Sequence, residues 1–271
     1  MRAGQAGVQS LERAAAILHV LADRHRQGAR LADIAMATGL SRSTAHRLLK
    51  SLIGLGMAEQ DEASGCFFPG LALLGLGAAA ANRHNMAELG APYSQRLADR
   101  TGDTVYLAVR SGNDAVCVDR VEGAFPIKIL TWNVGDRRPM GVSASGLAML
   151  AALPDDEVAR IVEANAPRIE ALTGLDRAGV LGLVEETRRS GYAFNAGYSA
   201  PGMAAAAVPI LGAGGEPLAA LCVAAIASRL DAQRCQTVVR WLNEEAGLLS
   251  QRLNEVTLGL SAPLMRRLRP R

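Results

Sequence analysis

Residues 39–52 read GLSRSTAHRLLKSL, and this stretch constrains the fold more than any other part of the chain. At about 100° per residue, a helix here places Arg42, Ser43, His46, Arg47 and Lys50 within an arc of about 140°. Ala45, Leu48, Leu49 and Leu52 then fall on the opposite side, within about 100°. The apolar arc has to be buried against other elements, so the basic arc has to face outwards. From Ile34 to Ala58 there is no Asp or Glu, which leaves Arg42, Arg47 and Lys50 without a local carboxylate.

The neighbouring segments supply what this helix packs against. SLERAAAILHVLA at 10–22 has helical apolar spacing, with Ser10 as the expected N-cap. LADIAMAT follows as a short helix that stops at Gly39, a residue suited to the left-handed conformation at a helix end. Ser41 then caps the basic helix. MAEQ, DEASG and CFFPG read as strand, turn and strand. Helix, helix, tight turn, helix and hairpin make the plan of a winged helix-turn-helix. Such a unit directs the N-terminal end of its last helix into the DNA major groove, where short hydroxyls and free backbone N–H groups meet phosphate. Ser41, Arg42, Ser43, Thr44, His46, Arg47 and Lys50 are therefore expected to face double-stranded DNA. The competing reading is a merely solvated face. Arg42 and Arg47 could read guanine edges or grip phosphates, and the sequence does not separate the two.

The rest of the chain reads differently. A small-residue helix over 71–85 leads into a second region with a helix near 92–100. TGDTVYLAVR, SGND and AVCVDRVEG form strand, turn and strand, and PIKILTW is expected to continue the strands. A helix starts near Ala144, and further helices are expected over 154–164 and 176–190. YAFNA, MAAAAVPIL and PLAALCVAAI are strands, followed by a long helix from about Asp231 to Val256 and an unstructured tail ending in LMRRLRPR. Hairpin-linked strands with interspersed helices indicate an α+β domain with an antiparallel sheet.

Composition narrows the function. With 49% hydrophobic and 20% charged residues the 271-residue chain is globular and long enough for two modest domains. No uncharged apolar run approaches the roughly 18 residues of a membrane span, and the start lacks the apolar core of a signal peptide, so a cytoplasmic location is expected. Cys66, Cys117, Cys222 and Cys235 are separated by 51, 105 and 13 positions, which fits no metal or redox motif, so no metal or cofactor is expected. The four histidines, His19, His25, His46 and His84, leave residues 85–271 without one, which removes Ser/His/Asp and Cys/His catalysis from the larger region. The chain therefore does not read as an enzyme. A net charge of +3 is too small to indicate nucleic acid by itself, so the placement of the charges decides.

VQSLERAAAILHVLA, LADIAMATGLSRSTAHRLLKSLIGLGMAEQD, TGDTVYLAVRSGNDAVCVDRVEG and GVSASGLAMLAAL together resemble the IclR-type transcriptional regulators, over about Val8 to Leu253. The resemblance implies a winged helix-turn-helix over 8–70, a linker helix over 71–85, and a GAF-like effector-binding and oligomerisation domain over 86–257, before a basic tail at 258–271. It further implies a homodimer or homotetramer that binds an operator and represses or activates transcription in response to a small molecule.

In that family the effector sits between the sheet, the start of the helix after the third strand, and the last strands. Carried over by position, the implied ligand contacts are Ala144, Ser145, Asn195, Met203, Ala205, Cys222 and Ala224. Ser143 to Gly146 also opens a helix whose N–H groups suit a carboxylate, which points to an organic acid. The chain departs from the family pattern with GLA at 146–148 in place of GKA, with Asn195 where many members carry an acid, and with MAAAAVPI lacking the usual Arg and Cys. These changes make the lining less polar and suggest an aromatic or branched acid. Ala205, Ala224 and Met203 could equally be ordinary core, and Cys222 either a small buried residue or a ligand contact. Tyr106 and Trp132 could be pocket wall or interface. Two rival functions are a DNA-binding protein with no ligand and an enzyme with a DNA-binding appendage. They are told apart by whether a small molecule alters operator affinity or is turned over.

Overall fold

The computed structural model describes residues 3–24, 27–76, 86–198 and 200–267, with side chains described between 9 and 255. It divides into two units, residues 1–84 and 85–271.

In the first unit, helix α1 spans Ala3–Asp23, α2 spans Leu31–Thr38 and α3 spans Arg42–Gly54. Strands β1, Ala58–Gln60, and β2, Phe67–Pro69, follow and pair antiparallel with Ala58 opposite Pro69. Ile17 and Leu21 of α1, Ile34 of α2 and Leu49 of α3 are fully buried, with Leu52 and Phe67 beside them. The break between α2 and α3 depends on Gly39 at φ 66°, where a Cβ would be strained; its N–H bonds the Ala35 and Met36 carbonyls. Ser41 then turns the chain into α3, its Oγ accepting the Thr44 N–H at 3.2 Å.

Two features of this unit differ from expectation. Helix α1 begins at Ala3, so Ser10 lies inside it and does not cap it. Ala3, Gln5, Ala6 and Gln9 are good helix formers, and they carry the helix past two glycines. Ala29 also adds a third short edge to the hairpin, its N–H bonding the Phe67 carbonyl at 3.0 Å and its carbonyl accepting the Phe67 N–H at 2.9 Å. Of the expected 71–85 helix, residues 72–76 are helical and 77–85 lie outside the described residues.

The second unit is built on a six-stranded antiparallel sheet. Its strands are β3, Thr104–Ser111; β4, Asp114–Val121; β5, Arg137–Pro139; β6, Ala193–Asn195; β7, Met203–Leu211; and β8, Pro217–Ile226. Their order across the sheet is β5-β4-β3-β8-β7-β6. Helices α4, Met86–Thr101, and α8, Ala232–Arg267, cover one face. Helices α5, Ala144–Ala151; α6, Asp155–Thr173; and α7, Arg177–Ser190, build up the other. Successive strand residues therefore enter two different cores. Leu221 and Val223 face α4 and α8, while Ala220, Cys222 and Ala224 face α5. Burial on both faces explains why β7 and β8 read as continuous apolar runs with no polar alternation.

PIKILTW is not a strand. Residues 122–136 form a loop, and the edge strand β5 starts at Arg137. The loop's carbonyls are met by side chains and not by a ladder. Tyr106 Oη donates to the Ile129 carbonyl at 2.5 Å, and Arg138 donates to that of Thr131. The tail differs as well. Helix α8 continues to Arg267, so most of the 258–271 segment, expected to be unstructured, extends it.

The helices over the first face are tied by buried acids. Glu245 of α8 accepts two bonds from Arg96 Nε, at 3.0 and 3.1 Å, and one from Nη2 at 2.6 Å. Asp103, 2% exposed, receives Arg229 Nε at 2.9 Å and Arg234 Nη2 at 2.6 Å. Replacing Asp103 by Asn removes the charge on which both guanidinium groups converge. Loss of these charge-assisted bonds should cost about 2 kcal/mol and lower the melting temperature by about 4–8 °C, read by differential scanning calorimetry. An unchanged melting temperature would show that this cluster contributes nothing.

Candidate nucleic-acid face and effector cavity

Helix α3 presents its two arcs as the sequence requires. Ala45, Leu49 and Leu52 are buried. Ser41, Arg42, Ser43, His46, Arg47 and Lys50 are exposed, and Thr44 is partly buried. The first turn is ordered by hydroxyls, since Ser41 Oγ lies 2.9 Å from Thr44 Oγ1 and 3.1 Å from Ser43 Oγ. Arg42, Arg47 and Lys50 make no ion pair with any described carboxylate, so the face keeps its positive charge. The hairpin tip is the reverse. Glu59, Asp61 and Glu62 are exposed there, and the Ser64 hydroxyl and N–H, at 2.5 and 2.7 Å from Asp61 Oδ2, hold that carboxyl below its ordinary value. Positive charge in this unit is thus concentrated on α3 and negative charge on the hairpin tip.

The seven residues expected to contact a ligand, drawn from four separate segments, all line one cavity in the second unit. Strand register explains the convergence. Asn195 of β6 lies opposite Ala205 of β7, and Ala205 lies opposite Ala224 of β8. One step along, Cys222 of β8 lies opposite Tyr106 of β3. These residues share a sheet face, and Met203 is two positions from Ala205 on the same face. Ala144 and Ser145, at the first turn of α5, form the facing wall. The chain enters α5 through Gly141 at φ 111°, where a Cβ would meet Ile169 at 2.9 Å and Val180 at 3.1 Å. The alanines at 144, 205 and 224 project too little to close the gap. A small cavity of about 20 Å³ remains, about the space of one water, open to solvent on one side.

The polar groups around this space divide into those already committed and those not. Asn195 Nδ2 donates to the Val142 carbonyl at 3.0 Å, and its Oδ1 accepts the Gly197 and Tyr198 N–H groups at 2.8 and 3.1 Å. A carboxylate at 195 could not make the first of these bonds, so asparagine braces the wall and leaves it uncharged. Ser143 Oγ takes the Gly146 N–H at 3.1 Å, which satisfies part of the helix end that was expected to attract an anion. Tyr106 and Trp132 both form wall. Their rings lie 6.1 Å apart, and the Trp132 indole donates to the Asp136 carbonyl at 3.1 Å. Arg138, not anticipated from the sequence, completes the lining, with its guanidinium 5.3 Å from the centre of the Trp132 ring. The signal that could have found it is a cation six residues before the start of a helix already singled out.

Burial pushes the Cys222 thiol up from 9.0 to about 12, against a weak opposing bond from Ser145. Burial also raises Cys117 from 9.0 to about 12, with Asp119 adding to the effect. Both thiols stay protonated and unreactive at neutral pH. Under native conditions iodoacetamide should label Cys66, the one cysteine that is not buried, well before the other three, and mass spectrometry of the labelled chain reads this. Because the folded state holds these two protons past the pH at which unfolded thiols lose theirs, stability should fall as pH rises from about 9 towards 12. Rapid native labelling of Cys222 would contradict its burial.

Comparison with known proteins bears on the family and the fold. The model of the IclR helix-turn-helix domain matches residues 10–62, and that of the bacterial transcriptional regulator IclR C-terminal region matches residues 78–251. The chain is 30% identical over 250 residues to the HTH-type transcriptional repressor AllR of Klebsiella pneumoniae, covering 92% of this chain and 91% of that one. It is 29% identical over 231 residues to AllR of Escherichia coli K12, covering 85% and 84%. Among solved structures, an IclR family transcriptional regulator from Brucella abortus aligns with a TM-score of 0.75 at 24% identity, over 89% of this chain and 91% of that one. An IclR homolog from Microbacterium hydrocarbonoxydans, complexed with 4-hydroxybenzoate, aligns with a TM-score of 0.68 at 24% identity, over 91% and 99%. The residues that carry the two units and these matches lead to one conclusion: the chain belongs to the IclR family of DNA-binding bacterial transcriptional regulators.

Proposed function

We propose that the chain is an effector-responsive repressor or activator in which the cavity of the second unit senses a small organic acid and thereby changes operator affinity. The observation that carries this reading is the convergence of residues from α5, β6, β7 and β8 on one largely apolar space containing a cation. The 4-hydroxybenzoate held by a protein of the same fold supports an acid as ligand. The controlled genes would then be those that consume the acid.

Each half of a roughly palindromic operator would receive one α3, so the working form is a homodimer or a dimer of dimers. Leu11, Leu71 and Leu74, 73%, 77% and 69% exposed in the single chain, support association between copies. Signalling would pass through the 71–85 segment as a population shift. An effector acts only to the extent that it binds one arrangement of the reading helices better than another. The domain limits that fit this reading are 8–70, 71–85 and 86–257.

Arg47→Ala should weaken binding to an operator selected from a random duplex library, while circular dichroism and the melting temperature stay unchanged, because Arg47 is exposed and outside the core. Native binding should fall steeply with salt, by about 0.9 in log K per phosphate contact for each tenfold rise, and the slope should drop by about one contact in the variant. If Arg42→Ala and Arg47→Ala both leave affinity at fixed salt unchanged, α3 is not the reading helix.

A further inference from the structure

We propose that Arg138 is the anion receptor of the cavity and that it selects ligands with a single carboxylate on a small apolar body. The inference rests on the reading of the cavity as an effector site and names the chemistry of what enters it.

Most polar groups of the lining are already bonded within the chain. Tyr106 Oη is bonded to the Ile129 carbonyl, the Trp132 indole N–H to the Asp136 carbonyl, and the Asn195 amide to three backbone groups. Ser143 Oγ holds the Gly146 N–H, so the helix end has lost part of its attraction for an anion. Three polar side chains are left with unused capacity, Arg138, Ser145 and the exposed Thr131, and of these only Arg138 is charged. Arg138 donates to the Thr131 carbonyl but makes no ion pair with a described carboxylate. Asp136, two residues away, uses its Oδ2 to accept both the N–H and the Nδ2 of Asn133, at 2.9 and 3.0 Å. Ser145, 1% exposed, has no conventional partner for its Oγ, which has only the Cys222 thiol beside it.

Arg138 is a half-buried guanidinium whose nearby carboxylate, Asp136, is engaged by Asn133, and its planar fork can match both oxygens of a ligand carboxylate at once. Burial lowers the Arg138 pKa, and the Asp136 carboxylate offsets this only in part. Around Arg138 and Ser145, the residues Ala144, Ala205, Ala224 and Met203 provide an apolar surround. A second carboxylate would find no second cation among the lining residues and would be buried unpaired.

The test is isothermal titration calorimetry on the full chain with isosteric sets: isobutyrate, isobutyramide and methylmalonate, and benzoate, benzamide and phthalate. The native chain should bind at least one monocarboxylate about tenfold or more tightly than its amide and its dicarboxylate counterparts. In Arg138→Gln, which keeps a donor for the Thr131 carbonyl, the preference for acid over amide should vanish while binding of the amide persists. Should that variant fail to fold, Arg138→Met, uncharged and of similar length, answers the same question. A reduced preference supports the assignment, and an unchanged preference overturns it. Binding of no member of either set to the native chain overturns both this inference and the acid-sensing reading. Tight monocarboxylate binding whose preference survives Arg138→Gln overturns the role of Arg138 alone.

Discussion

The second unit depends on one constraint: strands β7 and β8 are buried on both faces and must therefore be made of side chains that fit between two layers of helix. Alanine satisfies this. Residues 204–207 are all alanine, and 219, 220, 224 and 225 are alanine as well. Towards α4 and α8 the larger Leu221, Val223, Val208 and Ile210 fill the layer, so that face closes without a gap. Towards α5 the strands contribute Ala205, Cys222 and Ala224, and α5 itself starts with alanine and serine. Protein interiors pack as densely as organic crystals, so small residues on both sides of one interface leave either a collapsed contact or a cavity. Here a small cavity remains, and the loop at 122–136 borders it, with Tyr106, Trp132 and Arg138 each bonded to its carbonyls.

The first unit solves a different problem. A small domain has little interior, so its core is a handful of side chains, Ile17, Leu21, Ile34, Leu49, Leu52 and Phe67, and every helix must present a clean apolar stripe. Helix α3 does so and devotes the remainder of its surface to uncompensated positive charge and hydroxyls. The absence of acidic neighbours on α3 and their presence on the hairpin tip concentrate the attraction for phosphate on one helix.

Much of this was legible in the sequence, for identifiable reasons. The two arcs of α3 follow from periodicity, the break at Gly39 from backbone sterics, and the start of α5 at Ala144 from the Ser143 cap, all of them local effects. The cavity wall was legible through family resemblance, and strand register then explains why positions far apart in the chain meet. What was not legible depends on contacts between distant residues. PIKILTW has the β-branched, apolar look of a strand, yet Ile127 and Leu130 are 55% and 46% exposed, and the segment is fixed by side chains reaching to its carbonyls. Arg138 was missed for the same reason, since its place on the cavity follows from where that loop enters β5. The helical ends of α1 and α8 lay beyond the strong apolar periodicity.

The central claim is that the space left by the alanines is where the regulator is controlled. The most direct test fills it. In Ala205→Leu and in Ala224→Leu, operator affinity would be measured by fluorescence anisotropy at fixed salt across a titration of whichever monocarboxylate shifts the native protein, with circular dichroism confirming the fold. The account predicts that both variants bind operator and no longer respond to the acid. A response of native size and midpoint in folded variants would show that the acid acts elsewhere and would contradict the account.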